Sequence, residues 1–292
     1  MKILLTGATG YIAKRLLPVL LSGGHTVVCC VRDRNRFDSG KYNSSLVEVA
    51  EVDFLDKDSL KNIPEDIDVA YYLIHSMSAS VNEFEVMERA SAINFRERIE
   101  ETRVRQVIYL SGIINNKELS RHLASRKAVE EALSEGKYHL TTLRAGIILG
   151  SGSASFEIMR DLVEKLPVMI APRWLHTKSQ PISVLNVTEF LYGVLLNEYT
   201  FDRSFDIGGP DIMTYKEMLL RFATVRNLRR HIFVVPVMTP KLSSYWLYFV
   251  TSTSYKLAVN LVHSMKIEVI VARNDLPEIL GIKLIGFDDA VR

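Results

Sequence analysis

The segment LLTGATGYIAKRL, residues 4–16, decides the fold of this chain. The run KILLT at its start has the aliphatic character of a buried strand, and the residues after Gly10 have the spacing of a helix. The glycines between them let the backbone turn tightly, and the free N–H groups at the start of the helix favour a negatively charged group. A strand, a glycine turn and a helix in this order predict a diphosphate cradle, and hence a dinucleotide site.

The residues of the turn give the candidate contacts to this dinucleotide. Ala13 occupies the third position of the motif, where a small side chain lets the helix pack closely on the strand. The alternative is a degenerate loop that binds nothing. We expect the dinucleotide to contact Gly7, Thr9, Gly10, Tyr11 and Ile12.

Apolar runs alternate with helical patterns through the first half of the chain. Each run is nearly continuous, as in strands that are buried on both faces of a parallel sheet. The pattern predicts a doubly wound α/β fold, the Rossmann architecture. The runs are KILLTG, TVVCCV, VAYYLI, QVIYLSG and TTLRAGIIL, and the helical patterns cover 11–22, a stretch near 56–62, 81–102 and 121–135.

The second half predicts a smaller, mostly helical substrate lobe. Residues 182–196 indicate a strand and a helix that starts near Asn186 or Thr188 and rejoins the first domain. Thr214 and Glu217 have the spacing of a capping box. We therefore assign the dinucleotide-binding domain to 1–150 plus 181–204, and the lobe to 151–180 plus 205–292.

The C-terminus has the pattern of an interrupted helix. Asp288 and Asp289 resemble its first turn, and the chain ends before the helix is long enough to be stable. We therefore expect the natural chain to continue past Arg292.

The composition is that of an ordinary globular protein. The formal charge is +2, which predicts no general attraction to nucleic acid or to a membrane surface. The basic run at 226–231 fits a solvated turn better than a phosphate site, and the apolar stretch 245–262 carries Lys256, which disfavours a membrane span.

The cysteines and the N-terminus predict where the protein resides. Cys29 and Cys30 are neighbours in a strand, so they point to opposite faces and are poorly placed to form a disulfide. The N-terminus enters a strand directly and lacks the pattern of a signal peptide. Together these features predict a cytoplasmic protein with two buried, inert thiols.

Residues after the second and third strands indicate which dinucleotide binds. Arg32 follows the second strand, where a guanidinium accommodates the 2′-phosphate of NADP, so NADP is favoured over NAD. Asp53 and Phe54 follow the third strand. Asp53 has the position to accept a hydrogen bond from adenine with Phe54 against the ring, although Asp53 or Asp56 equally suits a helix cap.

With these residues in hand, the chain resembles the short-chain dehydrogenase/reductase superfamily. The similarity is to its extended and atypical branches, which include NmrA-like proteins and nucleoside-diphosphate-sugar epimerases. A narrower resemblance is to a bacterial group that often carries an extra C-terminal domain of unknown function. The superfamily resemblance rests on TGATGYIA, Arg32, the DF pair at 53–54, Asn94, YLSG at 109–112 and FDIGGPDIMTYKEM. The narrower resemblance rests on HLASRKAVEEAL, LRAGIILGSGSASFEIMRDLVEKLPVMIAPRW and TPKLSSYW.

The resemblance implies a catalytic serine and a Tyr-x-x-x-Lys pair. Ser111 matches the serine by position, but the slot of the pair holds His122 and Arg126. Arg126 is able to bind ribose, phosphate or substrate but not to shuttle a proton at neutral pH. His122 is suited to acid–base work, although a neighbouring cation makes it a weaker proton donor. The alternative for His122 is a solvated residue at a helix start.

Two further residues are candidates for the cofactor site. His75 follows the fourth strand, where ligands of open α/β sheets bind, and it either approaches the nicotinamide ribose or packs in its loop. Asn94 matches a superfamily residue that organises a water or the active-site backbone. No histidine–carboxylate cluster has the spacing of a metal site.

The substrate side is expected from 150–159, 172–183 and 240–265. Its aromatic and cationic residues favour an apolar or aromatic ligand with an anionic or carbonyl group. They are Phe156, Trp174, Tyr245 and Trp246, with Arg173, His176 and Lys178 as the cations.

Three functions remain open from the sequence. The first is an NADPH-dependent oxidoreductase or epimerase-like enzyme acting on a small carbonyl or similar acceptor. The second is an NmrA-like sensor of NADP redox state that acts through a protein partner. The third is a structural scaffold within an assembly, and a homodimer is compatible with each.

Overall fold

The computed structural model of this 292-residue chain describes residues 1–42, 45–74, 81–114, 121–235, 265–272 and 274–292. The side chains of 81–84 and 121–123 lie outside this description. His75, Tyr245, Trp246 and the side chain of His122 therefore fall beyond the described part of the chain.

Seven strands form one parallel sheet, in the order β11-β6-β5-β4-β1-β2-β3. Strands β2 and β3 lie on one side of β1, and β4 lies on its other side. The strand order therefore reverses between β1 and β4, which is where the crevice of a doubly wound sheet opens. The predicted fold class is confirmed. The strands are β1 (Lys2–Leu5), β2 (Thr26–Val31), β3 (Val47–Glu51), β4 (Val69–Tyr72), β5 (Gln106–Gly112), β6 (His139–Ala145) and β11 (Arg203–Ile207).

Helices cover both faces of this sheet. On one face α1 (Ala13–Ser22) and α5 (Val184–Gly193) pack against Ile3 and Leu5. On the other face α2 (Val81–Ile99) and α3 (Arg121–Ser134) pack against Leu4. Because consecutive residues of β1 point to opposite faces, the apolar run KILL contributes to both cores.

The remaining elements build a smaller lobe with its own core. Helices α4 (Ala154–Lys165) and α6 (Tyr215–Val225) pack together over a parallel strand pair, β8 (Val168–Pro172) and β13 (His231–Val235). The predicted capping box of α6 is present, since Thr214 and Glu217 each accept a backbone N–H of the other. Short pairs complete the lobe boundary: β7 (Ile148–Leu149) with β10 (Ile182–Ser183), and β9 (Lys178–Ser179) with β12 (Met213–Thr214).

Several local expectations were wrong. Helix α5 is capped by Ser183, and Asn186 is instead buried and donates to Glu189 and to the carbonyl of Lys283. The helix expected near 56–62 is only a 3-10 turn at Ser59–Asn62. Ser183 caps α5 because its hydroxyl accepts the N–H of Leu185.

The lobe boundary also differs from the expected one. The boundary at residue 204 falls inside β11, which is the edge strand of the main sheet and pairs with β6. Leu276, at the start of the short helix α7 (Leu276–Ile279), is buried in the core beside α1 and α5. The last helix, α8 (Phe287–Ala290), packs in the lobe through Phe287.

Candidate functional site

The glycine turn between β1 and α1 is closed by its own backbone. Gly10 donates its N–H to the carbonyl of Gly7 over 2.7 Å, and Gly7 has a φ of +60°. A Cβ on Gly7 would lie 3.0 Å from the carbonyl oxygen of Leu73, and one on Gly10 would lie 2.9 Å from that of Gly7. Both positions therefore require glycine, because a side chain would displace the backbone of the turn.

The start of α1 fits a diphosphate. Within the residues that the structure describes, the backbone N–H groups of Tyr11, Ile12 and Ala13 have no acceptor, and Ile12 at the N-cap makes no side-chain cap. Thr9 and Gly10 are exposed, and Tyr11 and Ile12 are half-buried. Donors that are free, accessible and at the positive end of a helix are what a bound diphosphate needs.

The side chain of Tyr11 connects this turn to the lobe. Its hydroxyl would meet a Cβ on Gly150 at 2.6 Å, so the ring lies against the turn that leads into α4. Burial raises the pKa of Tyr11. Arg15 stacks over the ring, 4.0 Å from its centroid, and donates to the carbonyl of Ser151.

Arg32 lies where the sequence predicted it, directly after β2. Its side chain is exposed and has no hydrogen bond or ion pair with any residue that the structure describes. The neighbouring carboxylate of Asp33 accepts the N–H of Asn35 at 3.0 Å and so caps a 3-10 turn. A free guanidinium beside an engaged carboxylate is suited to a phosphate rather than to a ribose hydroxyl.

The loop after β3 has the side chains that were expected to contact adenine, Asp53 and Phe54, in different environments. Asp53 is exposed, and its Oδ1 accepts the N–H of Leu55 at 3.0 Å. Phe54 is 6% exposed, and its ring packs on Phe95, so little of the ring is accessible and its contact with adenine stays a prediction. The apolar side chain is more stable in the core. Asn94 donates to the carbonyl of Phe54 at 2.8 Å and thereby ties α2 to this loop.

A cavity of about 660 Å³ extends from the glycine turn to the lobe. Its wall is mostly apolar and comes from three regions. The turn contributes Gly7, Gly10, Tyr11, Ile12 and Ala13; the ends of β4, β5 and β6 contribute Leu73, Leu110, Ser111, Gly112, Ile113, Ala145 and Gly146; and the lobe contributes Ile158, Met159, Leu162, Trp174, Leu175, Tyr215, Met218 and Leu219, among others.

Ser111 lies in this wall near the carboxyl end of β5. It is 6% exposed, and its Oγ has no hydrogen-bond partner in the described part of the chain. An unpaired buried hydroxyl destabilises a protein by about 1–3 kcal/mol, so such groups are usually kept for a ligand or a water.

Arg126 reaches the same wall from α3. Its Nη1 lies 3.4 Å from the carbonyl oxygen of Leu110 and from the Tyr109 hydroxyl, and both contacts are long. The preceding residue, Ser125, is buried and donates to Glu88 at 2.6 Å, which fixes α3 against α2. The structure therefore places Arg126 and Ser111 on one cavity wall.

The expected substrate residues are only partly in place. Trp174 lines the cavity, but Phe156 packs on Phe222 in the lobe. Arg173, His176 and Lys178 are exposed and do not line the cavity, so their expected role stays a prediction that this cavity does not support. Tyr215, Met218 and Leu219 of α6 also line the cavity. Their sequence pattern did not predict this, because an apolar helix face that lines a cavity has the same pattern as one that packs in the core.

No helix in the described part of the chain combines the length and hydropathy of a membrane span. No group of three or more His, Cys, Asp or Glu side chains in the same part is arranged to hold a metal ion.

Comparisons with known proteins agree with this geometry. Residues 7–161 match the model of the NAD(P)H-binding family. No curated protein matches the sequence.

Solved structures share the fold. A nucleoside-diphosphate-sugar epimerase from Staphylococcus aureus has a TM-score of 0.80 and 13% identity, with 100% of both chains covered. The triphenylmethane reductase of Citrobacter sp., solved with NADP(H), has a TM-score of 0.80 and 14% identity, over 100% of this chain and 99% of that one. A UDP-glucuronic acid 4-epimerase from Bacillus cereus, solved with NAD, has a TM-score of 0.66 and 16% identity over 91% and 96% of the chains.

Identities this low establish a shared fold and no more. The family match covers more than half of the chain and begins at Gly7, the first glycine of the turn. The fold and the cradle are those that the resemblance to atypical short-chain dehydrogenases/reductases predicted. The chain therefore belongs to the NAD(P)H-binding family.

Proposed function

We propose that this protein is an NADPH-dependent reductase that acts on a carbonyl or a similar acceptor. The observation that carries the proposal is the cavity that joins the glycine turn to the lobe, with the unpaired hydroxyl of Ser111 in its wall. Such a cavity offers space for a nicotinamide ring and an acceptor side by side.

The preference for NADP over NAD rests on Arg32. The guanidinium is exposed and has no partner in the described part of the chain, and Asp33 is already engaged by Asn35. Asp53 remains our candidate for the adenine side, through its exposed carboxylate. His75 stays a proposal for the nicotinamide ribose.

Three residues of the chain are assigned roles in the proposed reduction. When bound, NADPH supplies a hydride. Ser111 donates a hydrogen bond to the acceptor oxygen, and the charge of Arg126 stabilises the negative charge that develops there. Arg126 cannot deliver the proton that the oxygen finally takes up, so His122 is our candidate for that step.

The test follows NADPH absorbance with purified protein and a panel of quinones, aldehydes, enones and nitroaromatic compounds. We expect oxidation with at least one class, and we expect Ser111→Ala to lower kcat by about tenfold or more while the dissociation constant of NADPH stays the same. Arg105→Met, at the opposite end of β5, serves as the control.

A non-catalytic sensor of NADP redox state is the alternative. The observation that favours it is the slot of the usual Tyr-x-x-x-Lys pair, which holds His122 and Arg126. Tight binding of NADPH with no oxidation across the whole panel would favour this function. A protein partner would then be required.

A further inference from the structure

The residues that line the cavity include a positive charge and no negative charge in the described part of the chain. Arg126 is the one charged side chain among the residues that line it in the described part of the chain. None of these lining residues is an aspartate or a glutamate. Among the described residues, the hydrogen bonds of the Arg126 side chain go to the Leu110 carbonyl and the Tyr109 hydroxyl, both at 3.4 Å. A cation without a carboxylate partner in an apolar cavity is favourable only if a ligand or water compensates it.

Two further polar side chains among the described residues that line the cavity also lack a partner. The Ser111 hydroxyl and the indole Nε1 of Trp174 are buried and have no hydrogen-bond partner among the described residues. Each of these groups is able to donate a hydrogen bond, and the indole is able only to donate. The wall therefore matches a ligand that is rich in acceptors.

The lobe end of the cavity has a different role. Met159 from α4 and Met218 and Leu219 from α6 line it, together with the side chain of Met265. Methionine adapts its shape to apolar and aromatic surfaces. This end of the cavity is suited to a ring system or a branched apolar group rather than to a sugar, which needs many paired donors and acceptors.

From these observations we propose that the cavity binds an amphiphilic anion, with its apolar body between α4 and α6 and its anionic group at Arg126. The proposal names the substrate class of the reductase proposed above. It depends on that function only where it calls the anion a substrate, because the anion binds at Arg126 whether or not it is reduced. The cations that the sequence offered for this role, Arg173, His176 and Lys178, are replaced by Arg126.

The test compares two fluorescent probes with the same aromatic body. These are 1-anilinonaphthalene-8-sulfonate, an anion, and N-phenyl-1-naphthylamine, which is neutral. Both are titrated into folded protein that is saturated with NADP⁺, so that no turnover occurs. We expect Arg126→Met to weaken the sulfonate probe by about tenfold and to leave the neutral probe unchanged.

Three variants make this result specific. Lys127→Met removes the adjacent exposed cation of α3, which does not line the cavity, and should affect neither probe. Arg126→Lys keeps the charge and should retain most of the sulfonate affinity. Ala154→Phe fills the cavity at the first residue of α4 and should weaken both probes.

Two outcomes would overturn the proposal. If Arg126→Met weakens both probes equally, or neither, the anion does not bind at Arg126. If Ala154→Phe leaves both affinities intact, the probes bind outside this cavity. The assay of NADPH oxidation on the same samples separates this result from the proposed reductase, since a chain that binds the sulfonate at Arg126 but oxidises no NADPH keeps the anion site and loses the enzyme. Calorimetry with NADP⁺ establishes that each variant still binds the cofactor.

Discussion

The guanidinium of Arg15 lies 4.0 Å from the centroid of the Tyr11 ring and donates to the carbonyl of Ser151. One side chain of α1 therefore joins the glycine turn to the turn that opens the lobe. We expect Arg15→Met to lower the free energy of unfolding by about 1 kcal/mol, because the stacking and the hydrogen bond are lost at a half-exposed site. Chemical denaturation measures this, and the exposed neighbour Lys14→Met should change it much less.

The second prediction concerns the glycine turn. In Gly10→Ala the new Cβ would lie 2.9 Å from the carbonyl oxygen of Gly7, so the turn must open and the free N–H groups of α1 move away from the diphosphate. We expect calorimetry to show at least tenfold weaker binding of NADPH. Gly24→Ala is the control: its φ of +74° makes it strained by about 1–2 kcal/mol, but nothing lies within 4 Å of its Cβ and cofactor binding should persist.

The third prediction concerns the choice of cofactor. Arg32→Met should weaken NADPH by about tenfold or more and leave NADH nearly unchanged, because only the 2′-phosphate needs the guanidinium. Dissociation constants for both cofactors, measured side by side, give the ratio. Equal losses for the two cofactors would mean that Arg32 does not contact the 2′-phosphate.

The fourth prediction concerns the two thiols. Burial raises the pKa of Cys29 to about 12 and that of Cys30 further. Since the thiolate is the reactive form, a thiol reagent at mildly alkaline pH should modify neither residue in the folded protein and both in guanidinium. The unfolded thiols, with a pKa of 9.0, release their protons first, so the stability of the fold should fall as the pH rises above that value.

The fifth prediction concerns the cap of α6. Thr214→Ala removes a hydroxyl that accepts the N–H of Glu217, and should destabilise the protein by about 1 kcal/mol. Thr224→Ala in the same helix is the matched control. Its hydroxyl bonds back to the carbonyl of Leu220 within the helix, a contact that adds little stability, so no comparable loss is expected.

Local patterns were sufficient for the sheet, the cradle and one helix cap. Each of these features depends on residues that are close together in the sequence, so the rest of the chain does not change the structure they form. They are the apolar runs, the glycines at 7 and 10, and the Thr214–Glu217 spacing. The cap of α5 by Ser183 is a feature that the local sequence pattern did not predict. Ser183 caps α5 because β10 ends there against β7, a pairing that the local sequence does not encode.

The sequence by itself determined that a glycine turn precedes a helix with free N–H groups, and that an arginine follows the second strand. The tertiary structure decided which side chains share a cavity. It buried Phe54 against Phe95, left Arg173 in solvent and brought Arg126 to the wall that holds Ser111. The physical reason is that backbone geometry and charge are properties of a short segment, whereas a cavity exists only where strands, α3 and the lobe helices meet.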